Sequence, residues 1–179
     1  YLPPPGELLS PAVPKTGSAP AVYIASNAND RSGRHAYVAE LMRHMAVDGY
    51  GACHRNRTLA HDDGRPAKLA TIARYRFTLA FENSIARDYV TEKFYDALVA
   101  GSVPVVLGAP NIDEFAPADR CCVDVNDFAS PADLASFLAE LAGDESRYAE
   151  YLAWKSGGLR AAFRDMLAFV EADPWTRLA

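Results

Sequence analysis

Short apolar segments alternate with amphipathic segments along most of this chain, and this alternation restricts the fold more than any other feature of the sequence. The residues at 21–25, 75–83, 103–108 and 121–125 form short, mainly apolar runs bounded by turns, and a shorter run lies at 47–51. Such runs are typical of strands buried in a parallel sheet. With helices between them, they predict an α/β fold in which an open, mostly parallel sheet carries helices on both faces.

Helical patterns occupy intervals between these strands and most of the last third of the chain. The helix over 91–100 ends at Gly101, which suits a left-handed C-cap. A later helix begins with Ser130 as its N-cap and Pro131 in its first turn. The apolar stripe of that helix consists of Leu134, Phe137, Leu138 and Leu141. Further helices are expected at 34–45, 148–154 and 159–170, and a polar loop at 54–66.

The first 20 residues differ in composition from the rest of the chain. They contain six prolines and two glycines with little periodicity, so residues 1–20 are predicted to form an extended linker or a wrapped arm. The globular domain, with its C-terminal helices, is expected to comprise residues 21–179. A half-hydrophobic chain of 179 residues is long enough to bury one core of its own.

The charge balance excludes two classes of partner. The formal net charge is −5, so no excess of positive charge favours binding to nucleic acid or to an anionic membrane. No apolar run approaches the roughly 20 residues that span a bilayer. This segment is therefore expected to contact neither nucleic acid nor membrane, and any anion site must be local.

The cysteines and histidines form no recognisable site. Cys53, Cys121 and Cys122 are odd in number and two of them are adjacent, so a disulfide framework is excluded. The chain has neither a C-x-x-C pair nor an H-E-x-x-H motif, so no metal site is predicted. Surface or capping roles are assigned to His35, His44, His54 and His61.

Parallel sheets of this kind bind ligands beyond the carboxyl ends of their strands, so the site is expected in the loops at 26–34, 82–92 and 108–114. The first loop opens into a helix, whose main-chain N–H groups would suit a phosphate together with the planar fork of Arg34. The alternative is a helix cap with solvated arginines. The candidate capping residues are Asn29, Asp30 and Ser32.

The second loop carries the most informative pair of residues. Its helix is expected to be capped by Thr91 or Asp88, so Lys93 falls in the first turn. The helix dipole disfavours a cation there by a few tenths to roughly 1 kcal/mol unless an anion lies nearby. This placement indicates a bound phosphate. The adjacent Glu92 is either a surface carboxylate or an acceptor for sugar hydroxyls. In the third loop, Gly108 is expected to allow close approach of a ligand.

The residues of these loops resemble a known family. The strongest matches are the blocks at 81–84 (FENS), 88–93 (DYVTEK) and 103–108 (VPVVLG), supported by residues 124–131 and by the Ser26-Asn27 loop with Arg34. Together they resemble the α-1,3-fucosyltransferases of glycosyltransferase family 10, which use GDP-fucose. The resemblance runs in order from about residue 21 to about residue 154.

The resemblance implies a GT-B arrangement, in which two Rossmann-like domains face a cleft. This chain resembles the C-terminal half, so residues 21–179 are expected to be a Rossmann-like domain that binds GDP-fucose or GDP. The acceptor oligosaccharide would be held by an N-terminal domain that this chain does not contain. The opening YLPPPG is similar to the stretch before the family's interdomain linker, so the sequence is expected to begin near a domain border.

The resemblance also assigns roles to individual residues. Arg34 and Lys93 correspond to the cations that stabilise the departing diphosphate, and Glu92 to the carboxylate that holds ribose or fucose hydroxyls. The remaining donor contacts implied by it are Ser26, Asn27, Asn83 and Tyr89. The implied reaction is inverting, α-1,3-type transfer of L-fucose to a glycan hydroxyl. Because the general base belongs to the absent domain, little or no activity is expected of this chain alone.

Several alternatives stay open at this point. The chain could be a GT-B donor domain for another nucleotide sugar, or a non-catalytic GDP-binding module. A receiver-type phosphoacceptor domain fits worst, because Ser26-Asn27 replaces the acidic pair it needs. The sequence indicates no required cofactor, because two cations can serve the diphosphate; a divalent metal, Mn²⁺ or Mg²⁺, stays open, although no carboxylate cluster that would hold it is visible. The expected compartment is the Golgi lumen for a eukaryotic protein, and the cytoplasm or inner-membrane face for a bacterial one.

Overall fold

A single parallel sheet forms the centre of the computed structural model, which describes residues 2–59 and 63–171. The sheet has five strands in the order β2-β1-β3-β4-β5, and every neighbouring pair is parallel. The strands are β1 (Ala21–Ile24), β2 (Val47–Tyr50), β3 (Phe77–Phe81), β4 (Val103–Leu107) and β5 (Val123–Asp124). The predicted α/β fold with a parallel sheet is therefore confirmed.

Helices connect and follow these strands. They are α1 (Pro5–Leu8), α2 (Arg34–Leu41), α3 (Arg65–Ala73), α4 (Glu92–Val99), α5 (Ile112–Phe115), a 3-10 helix (Val125–Asp127), α6 (Pro131–Gly143), α7 (Glu145–Glu150), α8 (Trp154–Gly157) and α9 (Ala161–Glu171). The predicted caps are observed: Thr91 caps α4, Ser130 caps α6, and Gly101 follows α4 with a φ of +69°.

Alternate residues along the strands point to opposite faces of the sheet, and each face is covered by helices. Ala21 and Tyr23 of β1 pack in one core cluster with α2 and α6. Val22 of β1 packs instead with Ile72 of α3. On that second face, Val106 of β4 also packs against α1, α4 and α9. The strands are apolar on consecutive positions because both of their faces are buried.

Three elements differ from the sequence expectation. Helix α3 begins where the polar loop predicted at 54–66 was expected to end. Only Ile72 of this helix is buried, so its apolar stripe is too narrow to indicate a helix from the sequence. Strand β5 has two residues, so Cys122 precedes it. The helix expected at 148–154 is divided into α7 and α8. His61 lies outside the described residues.

Residues 2–20 contact the domain along much of their length. The side chain of Leu8 is fully buried in the cluster of α4 and α9. The Lys15 ammonium donates to the carbonyls of Ala73, at 3.0 Å, and Gly101, at 2.6 Å. The Lys155 ammonium donates to the Leu8 carbonyl at 2.6 Å. These contacts hold the segment against the face that carries α3 and α4.

The strand order creates a crevice at one end of the sheet. From β1 the chain crosses by α2 to β2 on one side, and α3 returns it to β3 on the other side of β1. The loops after β1 and β3 therefore leave the sheet toward opposite faces. Such a switch point opens a ligand-binding crevice between the carboxyl ends of the two strands.

Candidate functional site

A cavity of about 280 Å³ lies in the crevice between the carboxyl ends of β1 and β3. Its lining consists of Ile24, Ala25, Ser26, Asn27, Arg34, Lys68, Asn83, Glu92 and Lys93. Six of the seven residues predicted to contact a donor are among them. The exception is Tyr89, which is 37% exposed on the same loop as Asn83 and lies outside the lining. We call this cavity the switch-point cavity.

Two hydrogen bonds join the loops that follow β1 and β3. The main-chain N–H of Arg31 donates to the carbonyl of Asn83 at 2.9 Å, and the Ser32 hydroxyl donates to the carbonyl of Glu82 at 2.6 Å. Asp30 supplies the cap of α2, since its carboxylate accepts the main-chain N–H groups of Arg34 and His35, each at 3.0 Å. The cap occupies the helix N-terminus that was expected to receive a phosphate.

Arg34 is not a solvated arginine, because only 1% of it is exposed. Its Nη1 donates to the carbonyl of Phe81 at 3.1 Å and its Nη2 to the carbonyl of Asn27 at 2.6 Å. The guanidinium therefore holds the two loops together while it lines the cavity. Its buried Nε has no hydrogen-bond partner among the described residues, and neither has the buried Oδ1 of Asn83.

Lys93 lies in the first turn of α4, as predicted, but the protein itself supplies the anions beside it. The ammonium lies 3.1 Å from Oε2 of Glu82 and 3.3 Å from Oε1 of Glu92, and it donates to the Thr91 hydroxyl at 3.0 Å. These carboxylates offset the unfavourable interaction between the ammonium and the dipole of α4. The position of Lys93 in the helix therefore does not by itself require a bound phosphate.

The pKa values of this pair show which effect dominates. Burial alone would lower the pKa of Lys93, but the charges of Glu82 and Glu92 outweigh it and raise the pKa. Burial alone would raise the pKa of Glu92, but the Lys93 charge and hydrogen bonds outweigh it and lower the pKa. Both groups are therefore charged near neutral pH.

Glu82 was given no role by the sequence, yet it organises the start of α4. Its side chain is 3% exposed, and Oε1 accepts the main-chain N–H of Thr91 at 2.9 Å and the Thr91 hydroxyl at 2.7 Å. Gly108 makes room for it: a Cβ at Gly108 would lie 2.9 Å from Cγ of Glu82. On the side of Gly108 where a Cβ would lie, the space is therefore filled by Glu82.

The third predicted loop supports the site without lining it. Asn111 accepts the main-chain N–H of Asp88 at 3.1 Å and donates to the Asp88 carboxylate at 2.8 Å. Asp88 has a φ of +63°, a left-handed conformation that these bonds hold in place. The lining comes instead from the first two loops and from α3, which contributes Lys68.

A larger cavity, of about 740 Å³, lies at the opposite end of the sheet, beside the residue that precedes β3. There Arg76 pairs with Glu145, and the Tyr148 hydroxyl donates to the carbonyl of Arg76 at 2.9 Å. In this second cavity Arg76 and Glu145 are thus paired with each other, and the Lys15 ammonium is bound to the carbonyls of Ala73 and Gly101. The switch-point cavity is the smaller of the two but carries the polar groups suited to an anion.

Other features of the described residues concern the thiols, the metal-ligating side chains and the length of the helices. Cys53, Cys121 and Cys122 are free thiols. Within residues 2–59 and 63–171, no group of three or more His, Cys, Asp and Glu side chains is arranged to hold a metal ion. The helices in this part of the chain are too short or too polar to cross a membrane. The Asn56 amide of the sequon Asn56-Arg57-Thr58 already bonds β2, donating to Val47 and accepting from Gly49.

Comparison with known proteins places the chain among the fucosyltransferases. The family model for the C-terminal region of glycosyltransferase family 10 (fucosyltransferase) matches residues 14–170. GDP-fucose protein O-fucosyltransferase 3 of Canis lupus familiaris is 42% identical over 146 residues, which cover 78% of this chain and 30% of that protein. A fucosyltransferase-like protein of Arabidopsis thaliana is 41% identical over 173 residues, covering 96% of this chain and 33% of the relative. The chain thus spans about a third of the length of these curated relatives.

Solved structures give the same result. An α1,3-fucosyltransferase crystallised with GDP is 28% identical, with a TM-score of 0.62 over 74% of this chain and 37% of that one. An α1,3-fucosyltransferase crystallised with GDP-fucose is 26% identical, with a TM-score of 0.65 over 86% of this chain and 47% of the other. The expected fold class, one Rossmann-like half of a GT-B glycosyltransferase, is confirmed. This chain belongs to glycosyltransferase family 10, the fucosyltransferases, and matches the C-terminal domain of that family.

Proposed function

We propose that this chain is the donor-binding domain of a fucosyltransferase and that the switch-point cavity holds the diphosphate of GDP-fucose. One observation carries the proposal: the cavity lining combines three cations with two buried polar atoms, Arg34 Nε and Asn83 Oδ1, that lack partners among the described residues. Buried polar groups are normally hydrogen-bonded. A donor with phosphate oxygens and sugar hydroxyls supplies both an acceptor for Arg34 and a donor for Asn83.

Each residue has a proposed part in binding. Lys93 reaches the diphosphate by turning from its own carboxylates, and Arg34 adds its unused N–H groups while it keeps the loops in place. Glu92 accepts hydroxyls of the ribose or fucose. Ser26, Asn27 and Asn83 provide neighbouring polar contacts, and the partly exposed Tyr89 contacts the donor from outside the lining.

The proposed reaction is a single displacement with inversion. The acceptor oxygen forms a bond to the anomeric carbon of fucose while the bond from that carbon to the β-phosphate oxygen breaks. The electron pair leaves with GDP, whose growing charge Lys93 and Arg34 stabilise. The acceptor proton passes to a carboxylate base that we assign to the acceptor domain. We therefore expect little or no transfer by this chain alone.

Two acceptor classes are supported by different relatives. The solved structures are α1,3-fucosyltransferases, which favours a glycan hydroxyl. The curated relatives at 37–42% identity include protein O-fucosyltransferases, which favours a hydroxyl of a protein side chain. A protein hydroxyl is therefore a second candidate acceptor beside a glycan hydroxyl, supported by the higher identity of these relatives. A donor domain for another nucleotide sugar and a non-catalytic GDP-binding module are the alternatives that the experiment below addresses.

Calorimetric titration of the chain with GDP, GDP-fucose and UDP tests the proposal. We expect GDP and GDP-fucose to bind and UDP to bind more weakly, and Lys93→Ala to lose most of the GDP affinity. Lys155→Ala is the matched control, because Lys155 donates to carbonyls of the first 20 residues and lies outside the cavity. Absence of GDP binding, or equal binding of UDP, would overturn the proposal. Transfer at the rate of a two-domain enzyme would contradict the assignment of the base to another domain.

A further inference from the structure

We propose that Lys68 of α3 is a third cation that contacts the donor diphosphate, in addition to Arg34 of α2 and Lys93 of α4. The proposal rests on the proposed function and adds a residue to the same site. Lys68 is part of the cavity lining, and 24% of its side chain is exposed. No motif of the sequence indicates it, because α3 itself is not predicted.

The position of Lys68 follows from the packing of α3 on α4. Its ammonium lies 2.9 Å from Oδ2 of Asp96, whose side chain is 3% exposed. Asp96 follows Lys93 by three residues and Glu92 by four in α4, so all three lie on one face of that helix. The buried carboxylate thus holds the Lys68 ammonium above the turn of α4 that forms the cavity wall.

Asp96 does not depend on Lys68 alone for its counter-charge. Arg65 Nε lies 2.9 Å from Oδ1 of Asp96, and Arg65 Nη2 lies 3.0 Å from Glu7. The Asp96 carboxylate is therefore shared between two cations. An ammonium has three N–H donors, and Asp96 is the charged partner found for Lys68 in the described part of the chain. Lys68 thus has donors to direct at an anion.

The other two cations of the lining, Arg34 and Lys93, have more partners among the described residues than Lys68 has. Arg34 donates from both terminal nitrogens to main-chain carbonyls, and Lys93 lies between two carboxylates. The charge of Lys68 also acts on Glu92 in the cavity lining. Burial raises the pKa of Glu92, whereas the charge of Lys93 and, to a smaller extent, the charge of Lys68 lower that pKa. Three of the four charged residues in the lining are cations, which favours an anionic ligand.

Titrations with GDP, GMP and guanosine test the role of Lys68. We expect Lys68→Met to weaken GDP about 10- to 100-fold, the effect of one charge-assisted hydrogen bond. Guanosine, which has no phosphate, should bind the variant as it binds the wild type, with GMP between the two. Lys68→Arg should restore part of the GDP affinity.

Arg65→Met is the matched control, because it removes the other cation of Asp96 from a position outside the cavity lining. We expect its GDP affinity to stay within about twofold of wild type. The proposal is overturned if Lys68→Met binds GDP like the wild type, or if Arg65→Met weakens GDP as much as Lys68→Met does. It is also overturned if guanosine affinity falls equally. If the wild type binds no GDP, the proposed function and the role of Lys68 both fail. If the wild type binds GDP and Lys68→Met binds it equally well, only the role of Lys68 fails.

Discussion

The ammonium of Lys93 lies 3.1 Å from Oε2 of Glu82, a carboxylate buried at the end of β3. The other oxygen of Glu82 accepts two hydrogen bonds from Thr91, the N-cap of α4. The end of the strand, the helix cap and the cation thus form one connected unit. In the proposed donor complex, the diphosphate would have to draw Lys93 from these protein carboxylates, so we expect donor affinity to depend on residues behind the cavity wall.

Thr91 is predicted to stabilise this unit through its hydroxyl. Thr91→Ala removes the N-cap oxygen and a donor to buried Glu82, so we expect the free energy of unfolding to fall by about 1–2 kcal/mol. Thr91→Ser keeps the hydroxyl and should retain most of the stability. Chemical denaturation of the two variants measures the difference. Equal stability of the alanine and serine variants would show that the hydroxyl contributes nothing.

The side chain of Glu82 is predicted to require glycine at position 108, because it fills the space that a Cβ there would occupy. Gly108→Ala places a Cβ 2.9 Å from Cγ of Glu82, and the side chain must move away from Thr91 and Lys93. We expect a loss of about 1–3 kcal/mol of stability, as in other overpacked sites, together with weaker GDP binding.

Gly143→Ala is the control for that substitution. Gly143 is the last residue of α6, and a Cβ there meets no atom within 4 Å. Alanine should be neutral or stabilise the helix by up to about 1 kcal/mol. Wild-type stability and GDP affinity in Gly108→Ala would refute the assignment of Gly108 to Glu82.

Arg34 is predicted to matter for folding as well as for binding. Arg34→Met leaves the carbonyls of Phe81 and Asn27 without their donors, so we expect it to lower the free energy of unfolding by about 3 kcal/mol. Lys93→Met, whose side chain is 20% exposed, should cost less stability while it reduces GDP affinity. Thermal unfolding followed by titration separates the two effects. A fully stable Arg34→Met variant would mean that its role is confined to the ligand.

Asp48 is predicted to make stability depend on acid pH. Burial would raise its pKa, but hydrogen bonds from Ser18, Arg57 and Tyr75 outweigh burial and lower the pKa below the ordinary value near 3.9. The stabilisation is therefore complete above that ordinary value and is lost as the pH falls through the lowered one.

Asp48→Asn measures this contribution. We expect the variant to be about 2 kcal/mol less stable than wild type at pH 7, and the difference to shrink as the pH falls below about 4. Asp119→Asn, at a fully exposed side chain, should show almost no difference at either pH. Urea denaturation at pH 7 and at pH 3 provides the comparison. A difference that stays constant with pH would contradict the lowered pKa.

The sequence predicts the sheet and the position of Lys93 because both depend on local patterns. Runs such as Val103–Leu107 are apolar on consecutive positions, and Thr91 fixes the start of α4. Helix α3 escapes prediction because it directly follows the polar loop predicted at 54–66 and because Ile72 is its one buried residue. Lys68 is missed for the same reason, since no pattern brings α3 to the cavity.

Roles of buried charged groups depend on tertiary contacts. Arg34 and Glu82 are separated by 48 positions in the sequence, yet hydrogen bonds between their loops place both at the switch point. Sequence alone leaves Arg34 as either a solvated residue or a phosphate ligand. In the structure its terminal nitrogens hold main-chain carbonyls.

Local periodicity, caps and turn residues determined by themselves that this chain forms a parallel α/β sheet with its polar loops at one end. The family blocks, contiguous in the sequence, also point to the loops that line the cavity. Only the tertiary structure decided which charges face one another: Glu82 with Lys93, and Asp96 with Lys68. Partners of buried charges come from distant segments, and their pairing is fixed by strand order and helix packing, not by spacing along the chain.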